Sequence, residues 1–178
     1  MFEGSCLSVL YNMKRSMIKE CDLDTGVVVL ESYRLNGKLH RDSKEGPAYI
    51  YRNNEDGRVA WERFYWNGRL HREDGPAKVE YNIDGTVMLD EMYYRHGLLH
   101  RDPKQGPAWI ERSGDGSIMI SAGYYLNGKP YRDPSEGPCY IARFDDGTID
   151  QEVFSEPAET PALARSRRKQ SGSTPAPS

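Results

Sequence analysis

The chain has 178 residues, 37% of them apolar and 29% charged, with 17 Gly and 12 Tyr. Apolar content below the ordinary ~45–50% excludes a thick core between two fully buried layers and favours a thin sheet with one or both faces partly wet. A net charge of −3 makes no compositional case for a polyanion binder, although the segment from Ser155 onward sets four basic residues against two acidic ones, a net +2 that leaves −5 for the rest.

The first 20 residues carry no apolar run of signal-peptide length, because Lys14 and Arg15 interrupt them. No segment approaches the ~20 apolar residues of a membrane-spanning helix. A cytoplasmic protein is expected. The three cysteines, Cys6, Cys21 and Cys139, are odd in number and irregular in spacing, which argues against a disulfide framework. No Cys-x-x-Cys pair is present to suggest zinc.

Residues 1–21 read as N-terminal cap strands, with Cys6 to Tyr11 and Met17 to Cys21 as the candidates. A degenerate unit follows: Asp24-Thr25-Gly26, then Val27 to Leu35. From there one phrase occurs four times. Asn36-Gly37-Lys38-Leu39-His40-Arg41 leads to Gly46-Pro47-Ala48, and Asn67-Gly68-Arg69-Leu70-His71-Arg72 to Gly75-Pro76-Ala77. His96-Gly97-Leu98-Leu99-His100-Arg101 leads to Gly106-Pro107-Ala108, and Asn127-Gly128-Lys129-Pro130-Tyr131-Arg132 to Gly137-Pro138-Cys139. The first glycine advances by 31, 29 and 31 residues. Self-similarity at a fixed period is the signature of an array.

After each Gly-Pro comes an alternating run: 48–52, 77–81, 108–112 and 139–143. Its period of 2 predicts a strand with Ile or Val on one face and Tyr49, Lys78, Trp109 or Tyr140 on the other. Asp56-Gly57, Asp84-Gly85, Asp115-Gly116 and Asp146-Gly147 then predict hairpins with type I′ turns, which need positive φ at both central residues. A second strand leads to the next Asn-Gly. It carries an aromatic four residues before the glycine, at Tyr33, Phe64, Tyr93 and Tyr124. Six residues before it, Glu31, Glu62, Glu91 and Ala122 form a column expected on a solvated face. Each unit is therefore strand, Asp-Gly turn, strand, and a looped link holding Asn-Gly and Gly-Pro. The fold expected is all-β: an antiparallel meander over 22–154, four two-stranded repeats and the degenerate unit in an extended single-layer curved sheet. Residues 155–178, rich in Pro, Ser and basic side chains, read as a disordered tail.

Tyr65-Trp66-Asn67-Gly68 and Tyr125-Leu126-Asn127-Gly128, each followed by a short basic-apolar link and Gly-Pro, resemble the MORN repeat and its bacterial variants. The typical unit of that family is shorter and lacks the His-Arg step. The resemblance implies a curved sheet used as a scaffold or docking surface. Some members are linked with membranes and some bacterial ones are catalogued as candidate antitoxins; neither role maps onto individual residues here.

The His-Arg step is the sharpest chemical candidate. With two strands per unit, His40, His71 and His100 stand about 10 Å apart, too far to share one metal ion whose ligands sit at ~2.0–2.3 Å. The fourth copy carries Tyr131, which keeps a planar ring, so stacking with a hydrogen-bonding edge accounts for all four. Arg41, Arg72, Arg101 and Arg132 have two readings. Each ties its link to a carboxylate or carbonyl, or together they form a cationic rim for phosphates. Tyr49, Tyr51, Trp109 and Tyr140 on the wet face either shield the sheet or form a patch for a partner. The basic run Arg165 to Lys169 is a solubilising tail or an electrostatic tether.

No Gly-x-Ser-x-Gly elbow, Walker sequence or recurring nucleophile–base pair is present, so neither an enzyme nor a cofactor is expected. The expectation is a non-catalytic scaffold that binds another protein on one sheet face. The alternative is a peripheral binder of anionic surfaces, phospholipid or nucleic acid, through the Arg column and tail.

Overall fold

The computed structural model describes residues 8–12 and 15–155. All but the first residue of the expected tail over 155–178, together with residues 1–7 (Cys6 included) and 13–14 of the expected cap, lie outside the described residues. The main sheet has twelve strands, eleven in a linear path and a short one, Lys38–Leu39, paired with the end of the third. Those of the path are β1 (Ser8–Asn12), β2 (Arg15–Cys21), β3 (Val28–Leu35), β4 (Tyr49–Arg52), β5 (Val59–Arg63) and β6 (Lys78–Tyr81). The remainder are β7 (Met88–Met92), β8 (Trp109–Arg112), β9 (Met119–Gly123), β10 (Tyr140–Arg143) and β11 (Ile149–Val153). Spatial order equals chain order, each strand pairing antiparallel with its neighbours, so the sheet is an open meander. No helix among the described residues is long and apolar enough to cross a membrane.

Two details depart from the sequence expectation. The Asn-Gly pairs are not part of a loose loop. Asn36 and Gly37 have φ of 50° and 78°, and Asn67-Gly68, His96-Gly97 and Asn127-Gly128 repeat this. Positive φ at both central residues is the type I′ hairpin signature, and Asn and His enter that region more readily than other side chains. Each pair closes a two-residue ribbon, such as Tyr65–Trp66 against Arg69–Leu70. At the Asp-Gly pairs, by contrast, only the glycine has positive φ, so these turns are not type I′. The loops are longer: the Asn53 N–H donates to the Arg58 carbonyl across four residues. At three of the pairs the Asp carboxylate instead accepts the backbone N–H two residues on, Asp56 from Arg58, Asp115 from Ser117 and Asp146 from Thr148, while in the remaining loop the Asn82 side-chain oxygen takes the Thr86 N–H. At Asp115, hydrogen bonds from Ser113 and Ser117 hold the carboxyl down to about 2.

Main sheet and ribbons meet at the aromatic residue. The Tyr33 N–H donates to the Ala48 carbonyl just before β4, while the Tyr33 carbonyl accepts from the His40 N–H of its own ribbon. Phe64, Tyr93 and Tyr124 exchange partners in the same way, with Ala77 and His71, Ala108 and His100, Cys139 and Tyr131. Three chain segments converge there, which leaves room only for Ala48, Ala77 and Ala108, each at 0% exposure, or for Cys139. Cys139 is a free thiol. Cys21 is disulfide-bonded, which the irregular cysteine spacing did not suggest.

Register sorts the faces. One row across the sheet reads Glu31, Ile50, Glu62, Val79, Glu91, Ile110, Ala122, Ile141, Glu152. This face holds the core: Ile50, Val79, Ile110 and Phe64 are buried. Glu31 and Glu91 are buried there too, so the carboxylate column is not the solvated face expected. It is tolerated because each carboxylate finds donors. Arg52 and Lys19 reach Glu31 at 2.9 and 3.4 Å, with the Tyr33 hydroxyl donating at 3.1 Å. Arg112 and the Tyr93 hydroxyl serve Glu91. Glu62 takes the Tyr81 hydroxyl at 3.1 Å. Burial, seconded by the Glu62 charge, pushes the Tyr81 hydroxyl up to about 12.

Candidate interaction surface

The His-Arg step sits in the links and divides its work between two neighbours. Each arginine sets its guanidinium over the aromatic eight residues earlier: Arg41 over Tyr33, Arg72 over Phe64, Arg101 over Tyr93, Arg132 over Tyr124, at 3.9 to 4.3 Å from the ring centre. Its guanidinium also donates to the carbonyl of the Gly-Pro proline, at Pro47, Pro76, Pro107 and Pro138. The preceding glycine makes the space. A Cβ on Gly46, Gly106 or Gly137 would lie 2.9 to 3.2 Å from the guanidinium nitrogen. The acids after the arginines mostly cap their own turns, as Asp102 does for the Lys104 N–H. Only Arg72 also holds a carboxylate, Asp74 at 2.9 Å.

The histidines reach forward instead. Nδ1 of His40 accepts the Asn67 N–H, Nδ1 of His71 accepts the His96 N–H, and Nδ1 of His100 accepts the Asn127 N–H, at 3.2 to 3.3 Å. Each donor is the first positive-φ residue of the next ribbon. Ribbons are further stitched by backbone bonds such as Gly68 N–H to the Leu39 carbonyl. His40 packs on Trp66 at 4.2 Å and His71 stacks on His96 at 4.4 Å. Burial, then the neighbouring His96, lowers the His71 pKa below its ordinary value, against the pull of Glu73. Tyr131 is 40% exposed and ends the column. Among the described residues no three His, Cys, Asp or Glu side chains gather in a way that would hold a metal ion.

The second link is two residues shorter between its arginine and its proline carbonyl than the other three. Beside it a groove of about 760 Å³ opens, lined by Arg72, Arg95, His100 and Arg101 but also by Glu73, Asp74 and Asp102. Its charges offset one another.

The other sheet face carries the aromatic candidates, and all but Tyr51 are half-buried. Tyr49 and Tyr51 both stack on Trp61, at 5.1 and 4.9 Å, and Arg63 caps that ring at 4.3 Å. Trp61 is a member that strand alternation alone did not single out. Counting back through the β4–β5 hairpin, where Tyr51 pairs with Trp61, would have found it. Trp109 and Tyr140 form a second cluster, 6.2 Å between ring centres. They flank Gly123 in register, and a Cβ there would meet the Tyr125 ring at 2.7 Å and Trp109 at 3.5 Å. Between the clusters runs an ionic band. Lys78 bonds Asp90 at 3.1 Å and Glu80 at 3.0 Å, and the Trp109 indole N–H donates to Asp90 at 3.1 Å. Burial disfavours the Lys78 charge, but the Glu80 and Asp90 bonds outweigh it and raise the pKa. The surface is thus two stacked aromatic clusters held in fixed orientation by charged side chains.

No family model, curated protein or solved structure matches this chain.

Proposed function

We propose that the protein is a non-catalytic, MORN-like scaffold that binds another protein through the aromatic face of its sheet. The observation that carries this reading is the pair of aromatic clusters, Tyr49–Trp61–Tyr51 and Trp109–Tyr140, stacked within one open face. Aromatic and arginine side chains on a rigid support are what interface hot spots are made of, because little conformational entropy remains to be lost on binding. The His and Arg positions of the links have another occupation. They join loop to aromatic and ribbon to ribbon, and so supply the rigidity.

The alternative, a peripheral binder of anionic surfaces, would draw on the Arg column. Each of its guanidiniums is already stacked on a ring and bonded to a proline carbonyl, so no specific observation favours it. The deciding experiment is a pull-down with wild type and with Trp109→Ser/Tyr140→Ser, after circular dichroism has shown the same β signal. Loss of specifically retained protein with the double variant is expected. Unchanged retention refutes this patch.

A further inference from the structure

We propose a second interaction site, the outer edge of β11, which accepts an extended segment of another chain as one more antiparallel strand. The segment it selects has a β-branched residue followed two positions later by arginine or tyrosine.

The inference rests on what Glu152 lacks. Along the covered row, three carboxylates are each served by a donor on the next strand, two residues beyond the aliphatic partner in register. Glu31 faces Ile50 and takes Arg52; Glu62 faces Val79 and takes Tyr81; Glu91 faces Ile110 and takes Arg112. Glu152 faces Ile141 from the other side and continues the column on β11. Among the described residues no strand follows β11, and Glu152 is exposed where Glu31 and Glu91 are buried.

The backbone and the aromatic column give the same answer. Phe154 occupies the place of Tyr124, whose N–H donates to the Cys139 carbonyl one strand on; by the same register the Phe154 N–H faces away from β10, where no strand follows among the described residues. In the inner units this aromatic is covered by an arginine, whereas Phe154 is 52% exposed, and Ile149 and Val153 of the same edge strand are 55% and 42% exposed. An uncovered apolar edge strand is a template for pairing. Residues 144–155 contain four acids and no base, which disfavours a second copy of the same edge and favours a segment that sets an arginine against Glu152.

The probe is a fluorescein-labelled peptide with the sequence of residues 106–113, which carries Ile110-x-Arg112 in the native register, titrated against the full chain by anisotropy. Glu152→Arg should weaken binding roughly 10- to 100-fold, the range for one charge-assisted hydrogen bond lost to repulsion. The peptide with Arg112→Glu should bind the Glu152→Arg protein better than it binds wild type. Peptide should slow hydrogen exchange at the Glu152 and Phe154 amides and leave Trp61 unchanged. No binding at millimolar peptide, equal binding to both proteins, or protection confined to the aromatic face overturns the proposal. Protection of Phe154 without any peptide also overturns it, by giving the edge to a second copy or to residues 156–178 of the same chain.

Discussion

Arg112→Ala and Arg143→Ala remove the same side chain from equivalent places on β8 and β10, and they should not cost the same. Arg112 donates to Glu91, whose side chain is 8% exposed, while its own is 27% exposed. Without it, that carboxylate keeps only the Tyr93 hydroxyl at 3.2 Å. Removing one partner of a buried pair costs about 3–5 kcal/mol. Partial exposure of Arg112 and the surviving hydroxyl bond bring the expectation to about 2–3 kcal/mol. In the register place that Glu91 takes for Arg112, the column holds Ala122 for Arg143; Ala122 is 1% exposed, and Arg143 has a buried Nη1 with no partner. Removing it deletes an unsatisfied donor and forfeits only the packing of its aliphatic stem, about 0–1 kcal/mol. Urea denaturation with an unchanged m-value measures both. A Glu91→Ala/Arg112→Ala cycle should show coupling of about 1.5–3 kcal/mol. Equal costs for the two arginines, or coupling under about 0.5 kcal/mol, would refute the argument that the column is a chain of satisfied carboxylates.

Two further outcomes follow from the links. Arg101→Lys should lower stability by about 1–2 kcal/mol in thermal melts, because an ammonium cannot lie flat on Tyr93 while donating to the Pro107 carbonyl; an unchanged melting temperature counts against the stacked fork. Stability should also fall as pH drops below the ordinary histidine value of 6.5. The folded His71 pKa is lowered, so between 6.5 and that lower value the unfolded chain binds a proton the folded chain refuses. The loss is complete once pH has passed below the folded pKa. His71→Gln should flatten the acidic limb in a pH series of urea midpoints, and an unaltered limb would place the sensitivity elsewhere. Glu31 adds to the decline at more acid pH. Burial tends to raise its pKa, but Arg52, Lys19 and Tyr33 outweigh that and hold it low, so its contribution is present above 4.5 and lost as pH falls through the folded value.

The all-β meander was legible in the sequence because alternation and Gly-Pro starts are local signals. The turn chemistry was assigned to the wrong dipeptide for a reason that is also physical. Asn-Gly and Asp-Gly have the same propensity, and what separates them is the number of residues between paired strand ends, two at Asn36-Gly37 and four across 54–57. The carboxylate column was misread because a Glu at every second strand looks like a solvated stripe. Three of its donors, Arg52, Tyr81 and Arg112, lie 19 to 21 residues away in sequence, a distance no local pattern spans. The aromatic face was half legible: alternation gave Tyr49 and Trp109, and only cross-strand register brings in Trp61, Arg63 and Asp90.

The substitution of Tyr131 for histidine follows from the direction in which each half of the step works. Arginine acts within its own unit, on its own aromatic and its own proline carbonyl, so all four copies need it. Histidine acts on the next ribbon, so its acceptor nitrogen matters only where a ribbon follows. After the fourth, the described chain provides none. The Arg132 N–H, whose counterparts Arg41, Arg72 and Arg101 donate to the carbonyls of Tyr65, Tyr94 and Tyr125, donates instead to the Ser155 hydroxyl. Ser155 stands in register where that ribbon tyrosine would be, so a side chain replaces the missing backbone acceptor. Tyr131 therefore has no donor to meet and is free to be any residue with a ring to pack. A histidine placed there, Tyr131→His, should leave stability unchanged within about 0.5 kcal/mol, whereas His100→Tyr should cost about 0.5–1.5 kcal/mol by removing the acceptor of the Asn127 N–H. Equal effects of the two exchanges would mean that the ring alone, and not the nitrogen facing the next ribbon, is what the column provides.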